Sequence, residues 1–179
     1  MRLHRNRRTH GFTLIELLIV VAIIGMVAVI LIPNLMDALQ KAKQKRTLGT
    51  IRDVGTAWFS WLTDEVSSAA AGSNQFDYNA LTPIAAADLR KLLIPNDGAR
   101  YASSVPRKDS WGNLLTYAIA TDLGSASQAI AVRSFGRDAT EGPTTPPYPM
   151  GAFAVTEYVE DIVWSDGFFI RYPAGAQVK

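Results

Sequence analysis

The reading of this chain turns on residues 11–35, GFTLIELLIVVAIIGMVAVILIPNL, and within them on a single carboxylate. From Leu17 to Ile32 every residue is apolar or glycine, and Glu16 stands immediately before that run. A helix from Phe12 to Ile32, rising about 1.5 Å per residue, covers roughly 30 Å, the thickness of a bilayer's hydrocarbon core. The residues ahead of it hold Arg2, Arg5, Arg7 and Arg8, with His4 and His10 and no acid. On positive-inside reasoning the chain has a basic cytoplasmic tip, one membrane span and a domain on the far side. An ordinary anchor would not carry Glu16, because an ionised carboxylate inside a span costs about 2.5–3.5 kcal/mol on insertion scales. Nor does a small-x-small triplet follow the apolar run, as secretory signal peptidase requires. The small residue lies on the other side, at Gly11.

Gly11-Phe12-Thr13-Leu14-Ile15-Glu16 resembles the processing site of type IV prepilins and type II secretion pseudopilins, and the match runs on through Gly25 and Pro33. The resemblance implies that a membrane-embedded prepilin peptidase cuts between Gly11 and Phe12 and methylates the new amine of Phe12. It further implies that Glu16 of an incoming subunit pairs with the Phe12 amine of its neighbour and so sets axial register. The expected organisation is a leader at 1–11, a membrane and filament-core helix at 12–34, its amphipathic continuation at 35–71 and a head at 72–179. The fold class is α+β and pilin-like: a long N-terminal helix packed against a small antiparallel sheet.

Charge must be read without the leader. The whole chain is +2 with 18 basic and 16 acidic residues, but four of the arginines precede Phe12, so 14 basic side chains remain against the 16 acids. The high pI is therefore no sign of nucleic-acid binding. Lys41, Lys43, Lys45 and Arg46 form a basic collar just past the span, either a solvated helix face or a contact for lipid headgroups or neighbouring subunits. Pro33 withholds a backbone N–H within the helical pattern, which places a kink or soft spot there.

Beyond the collar, Leu48, Ile51, Val54, Trp58, Trp61, Leu62 and Val66 recur in steps of three and four, the mark of one buried helix face. The helix is expected to fade over Ser67–Gly72, with loop following to Leu81. Thr82-Pro83 reads as the start of a short helix over Ile84–Ile94, with Leu89, Leu92 and Leu93 facing inward. Leu114–Ala120 and Gln128–Phe135 read as strands, the second alternating in character, and Gly136–Met150 as a loop. A terminal hairpin pairs Tyr158–Trp164 with Phe168–Tyr172 across Ser165-Asp166-Gly167.

Enzyme chemistry finds no residues here. Both histidines lie in the leader and cysteine is absent, which removes Ser-His-Asp and thiol catalysis and a zinc site. Asp64-Glu65 and Glu160-Asp161 are adjacent pairs that point in different directions. No phosphate-binding glycine loop is present.

Two head segments also carry the resemblance. Asp109-Ser110-Trp111-Gly112-Asn113 is similar to the DPWGN turn of the major pseudopilin, with serine for proline, and Ser134-Phe135-Gly136-Arg137-Asp138 to its SLGADG segment. Asp161-Ile162 matches the later Asp-Ile. The resemblance implies calcium held by the carboxylates of Asp138 and Asp161 and the backbone carbonyl at Phe135, a ligand chemistry calcium favours. Arg137 in place of a small residue, Ala139 in place of glycine and a longer proline-rich loop depart from the pattern. On the other reading, Asp138, Glu141 and Asp161 are turn and surface acids, and Trp111-Gly112-Asn113 is a structural turn packed on the long helix.

The resulting expectation is a filament-forming, non-enzymatic subunit, major pseudopilin-like, polymerising in the periplasm to drive type II secretion. The alternatives are a surface type IV pilin for adhesion, twitching motility or DNA uptake, and a simple anchored binding module. The expected partners are further copies of the chain, prepilin peptidase, minor pseudopilins or pilins, the inner-membrane assembly platform and, before assembly, membrane lipid. Nucleic acid is not expected in the secretion reading.

Overall fold

The apolar spacing of the first third of the chain is realised as one helix, α1, Leu14–Glu65. The computed structural model describes residues 11–65, 81–96, 100–120, 130–142 and 149–176. The chain divides into two compact units, Met1–Leu39 and Gln40–Lys179, and α1 contributes to both.

In the first unit α1 is apolar on all sides. Every described residue up to Met36 is exposed apart from the half-exposed Ala28. Pro33 lies inside the helix and withholds the N–H that the Val29 carbonyl would accept. One turn earlier, the Asn34 side chain donates to the Ile30 carbonyl at 3.3 Å.

In the second unit α1 buries one stripe, Ile51, Val54, Trp58 and Leu62, at helical spacing. The sheet that covers it has six strands among the described residues: β1 Leu81–Ile84, β2 Thr116–Ala120, β3 Ile130–Ser134, β4 Gly151–Phe153, β5 Ile162–Ser165 and β6 Phe168–Pro173. Their spatial order is β1-β2-β3-β5-β6-β4. Neighbours are antiparallel except β4, which runs parallel to β6. Side chains alternate across the pleat. Tyr117, Ile130, Val132, Ile162 and Trp164 join the α1 stripe in one core, while Ala118, Ala131 and Val163 form a second, smaller cluster. Trp164 fits because Gly55 of α1 is bare: a Cβ there would come within 2.6 Å of the indole ring.

Three sequence expectations change. Thr82-Pro83 does not open a helix; it lies in β1, and α2 runs Ala86–Leu93. Proline survives in β1 because, among the described residues, β1 pairs only with β2 and is an edge, where a missing N–H leaves no ladder bond unmade. The stretch Gly151–Phe153, too short to signal itself, is the parallel edge strand β4, so the sheet is mostly rather than wholly antiparallel. All five residues of β3 are buried, so its alternation is one of direction only. The terminal hairpin forms, its first strand running Ile162–Ser165 rather than from Tyr158, with Asp166 and Gly167 both at positive φ in its turn. The helix end expected at Ser67–Gly72, the start of the strand expected at Gln128–Phe135, and residues 143–148 of the loop expected at Gly136–Met150 lie outside the described residues.

Candidate functional site

At the processing end, Gly11, Phe12 and Thr13 are non-helical and exposed, and α1 begins one residue later. The Gly11–Phe12 bond therefore lies in open chain outside the helix, with Phe12 74% exposed. Thr13 and Glu16 form a reciprocal cap. The Thr13 hydroxyl and backbone N–H both donate to Glu16 Oε2, at 2.7 and 2.8 Å, and the Glu16 N–H donates to the Thr13 hydroxyl at 3.3 Å. The signal for this, threonine followed three residues later by glutamate ahead of an apolar run, stands plainly in the sequence. A carboxylate that would be unpaired in apolar surroundings is thus held by two local donors.

In the second unit, Asp109 is the hub of the DSWGN turn. Its Oδ1 accepts from the N–H of Trp111 at 2.9 Å and of Asn113 at 2.8 Å, and its Oδ2 accepts from the Ser134 hydroxyl at 2.8 Å. Gly112 sits at φ 98°. The turn is tied to α1 at two points: the Ser110 N–H donates to Thr47 Oγ1, and the Trp111 indole N–H donates to Gln40 Oε1 at 2.8 Å. Asn113 Nδ2 donates to the Gly136 carbonyl at 2.7 Å. The motif thus links helix, sheet and the SFGRD loop: Ser110 and Trp111 bond to α1, Asn113 to the loop, and the buried Asp109 carboxylate accepts from its own turn and from Ser134 of β3.

The candidate calcium residues are arranged differently from a metal shell. Asp138 Oδ1 accepts from the Thr140 N–H at 3.2 Å, as a turn acid does. Asp161 Oδ2 accepts from Arg133 Nε at 3.0 Å, Arg133 Nη2 at 2.5 Å and the Gly142 N–H at 3.0 Å. Phe135 lies beneath the same guanidinium, its ring centroid 5.0 Å away. Burial raises the pKa of the Asp161 carboxyl, and the hydrogen bonds and charge of Arg133 pull it back. Asp138, Glu141, Glu160 and Asp161 line one hollow of about 130 Å³ together with Arg171, which is itself paired to Glu160 at 2.6 Å. Among the described residues no three of these acids come together so as to hold a metal ion. As placed, they do not fit a shell of six to eight oxygens. Arg133 was the functional residue sequence reasoning missed.

Comparison with known proteins bears on both regions. Residues 6–32 match the family described as "Prokaryotic N-terminal methylation motif". The type II secretion system core protein G of Aeromonas hydrophila is 31% identical over 109 residues, 61% of this chain and 72% of that protein. The core protein G of Pseudomonas aeruginosa is 29% identical over 138 residues, 77% of this chain and 90% of that protein. The type IV major pilin protein PilA of Myxococcus xanthus is 38% identical over 88 residues, 44% of this chain and only 40% of that pilin. No solved structure matches. The chain belongs to the family of type IV pilins and type II secretion pseudopilins. It is a membrane-anchored, filament-forming structural subunit with a prepilin processing motif, and not an enzyme.

Proposed function

We propose that this chain is the major subunit of a type II secretion filament. Before assembly it is held in the inner membrane, with residues 1–11 in the cytoplasm and the head in the periplasm. The observation that carries assembly is the first half of α1, apolar on every side and exposed along its length. An uncovered apolar surface of that extent needs lipid or other copies of itself. Core protein G is favoured over a surface pilin because similarity to it covers 77% of this chain and so reaches well into the head, whereas similarity to the Myxococcus pilin covers less than half of either chain. Among its partners are prepilin peptidase, minor pseudopilins and the assembly platform.

In this mechanism the peptidase hydrolyses the exposed Gly11–Phe12 bond and leaves an amine on Phe12, which is then methylated. A head-to-tail contact whose rotation does not close stacks subunits into an open helix. As the spans leave lipid, Glu16 exchanges its bonds to Thr13 for the amine of a neighbour, because two opposite charges buried together must pair. Calcium at Asp138, Asp161 and the Phe135 carbonyl has no role in this mechanism.

Intact-mass measurement of membrane-extracted protein tests the first step. It is expected to show loss of Met1 to Gly11 and gain of one methyl group, with Gly11→Ala slowing the cut and bulkier residues abolishing it. Recovery of all 179 residues from a host with active peptidase would contradict the reading. In the native host, deletion of the gene is expected to stop export of secreted proteins and leave surface filaments in place.

A further inference from the structure

We propose that the guanidinium of Arg133 is the built-in structural cation of the head, holding the loop at Glu141-Gly142 to the start of β5 with no divalent ion. Arg133 projects from the middle of the sheet, on β3 between β2 and β5, paired with Thr116 and Val163. Its side chain is 0% exposed, and that of Asp161 only 5%. Such a charge is strongly unfavourable inside a protein unless fully met, and here it is met from three sides. Nε and Nη2 both reach Asp161 Oδ2, Nη1 reaches Glu141 Oε1 at 2.8 Å, and Nη2 also reaches the Gly142 carbonyl at 3.0 Å. The Phe135 ring closes the face of the guanidinium.

The acceptors, two carboxylates and a backbone carbonyl from Glu141-Gly142 and Asp161, are of the type calcium takes but too few for its shell of six to eight oxygens. A guanidinium supplies the positive charge from within the chain, already tethered, with five N–H groups in a fixed fork. Gly142 belongs to the arrangement. A Cβ there would lie 2.7 Å from Asp161 Oδ2, so only glycine lets the loop backbone approach closely enough to give both its N–H to the carboxylate and its carbonyl to the arginine. The hollow beside it is lined by Asp138, Glu141, Glu160 and Asp161, and Arg133 balances two of those four charges. Arg171 takes a third.

The test uses the full chain in detergent, with the head followed by tryptophan fluorescence, since Trp58, Trp61, Trp111 and Trp164 all lie beyond the span. For wild type, the melting midpoint in millimolar calcium and in excess chelator is expected to coincide. A midpoint that rises and saturates with calcium would overturn the proposal, because a ligand that binds only the folded state stabilises it. Arg133→Met is expected to lower the midpoint by about 10 °C in chelator, as removal of one partner leaves the other charge buried alone. Arg133→Lys, which keeps the charge and loses the fork, is expected to fall between the two. A methionine or lysine variant that melts with wild type would also overturn the proposal. If the methionine variant does not fold, the wild-type comparison and the lysine variant decide the matter.

Discussion

The two halves of α1 are one helix by hydrogen bonding and two different objects by surface. Before Leu39, apolar residues occupy every side and none is buried; Ile30 is 68% exposed. After Gln40, the buried ones fall in one stripe, Ile51, Val54, Trp58 and Leu62, with Leu48, Phe59 and Trp61 partly buried beside it; Ile51 is 0% exposed. Helical periodicity is a sign of what the chain covers for itself. Its absence, with apolarity kept, shows that the cover comes from outside. The first half encodes assembly, the second folding.

One substitution made in both places sharpens this contrast. Ile51→Ala is expected to cost about 2–5 kcal/mol of head stability, the usual range for truncating a buried isoleucine, and to lower the tryptophan-detected midpoint by about 5–15 °C. Ile30→Ala is expected to leave that midpoint unmoved and reduce filament yield. Equal melting effects at the two positions would erase the distinction.

A smaller effect concerns pH and belongs to the second half alone. Tyr117 is buried against Trp58 and donates to the Pro106 carbonyl. Burial raises its pKa well above the ordinary 10.0. A group whose folded pKa is raised contributes stability that is full below its unfolded value and is lost as pH rises beyond it. The head midpoint is therefore expected to fall as pH increases above about 10. Tyr117→Phe should flatten that fall while losing about 1 kcal/mol at neutral pH for the missing hydrogen bond. An alkaline slope unchanged in the phenylalanine variant would assign it to other groups.

What could be read from sequence follows the same division. The span, the Gly11-Phe12 junction and the stripe from Leu48 to Leu62 are local patterns, and local patterns are legible. The DSWGN turn was legible as a turn, but not as the hub that Asp109 makes of it, since Ser134, Thr47 and Gln40 reach it from distant segments. Pro83 misled because proline at a helix start and proline on an edge strand look alike until the sheet order is known. Arg133 was hidden for a related reason. Nothing local within IAVRS marks it, and only the fold brings Glu141 and Asp161 to it. The Thr13–Glu16 cap is the exception, a local signal overlooked because Glu16 already had an explanation.

The central claim, that the exposed half of α1 is an assembly element set in register by one carboxylate, is tested most directly with Glu16→Leu. The measurement is filament yield by electron microscopy, in a host carrying an active peptidase and assembly machinery, with intact mass and head melting recorded on the same preparation. The substitution removes a costly charge from the span, so membrane insertion is expected to be at least as good as in wild type. The protein is expected to be cut after Gly11 and to melt at the wild-type midpoint, yet to form no filaments, because the neighbour's Phe12 amine has lost its counter-charge. Normal filament yield from the processed Glu16→Leu protein would contradict the claim and leave the first half of α1 as a plain membrane anchor.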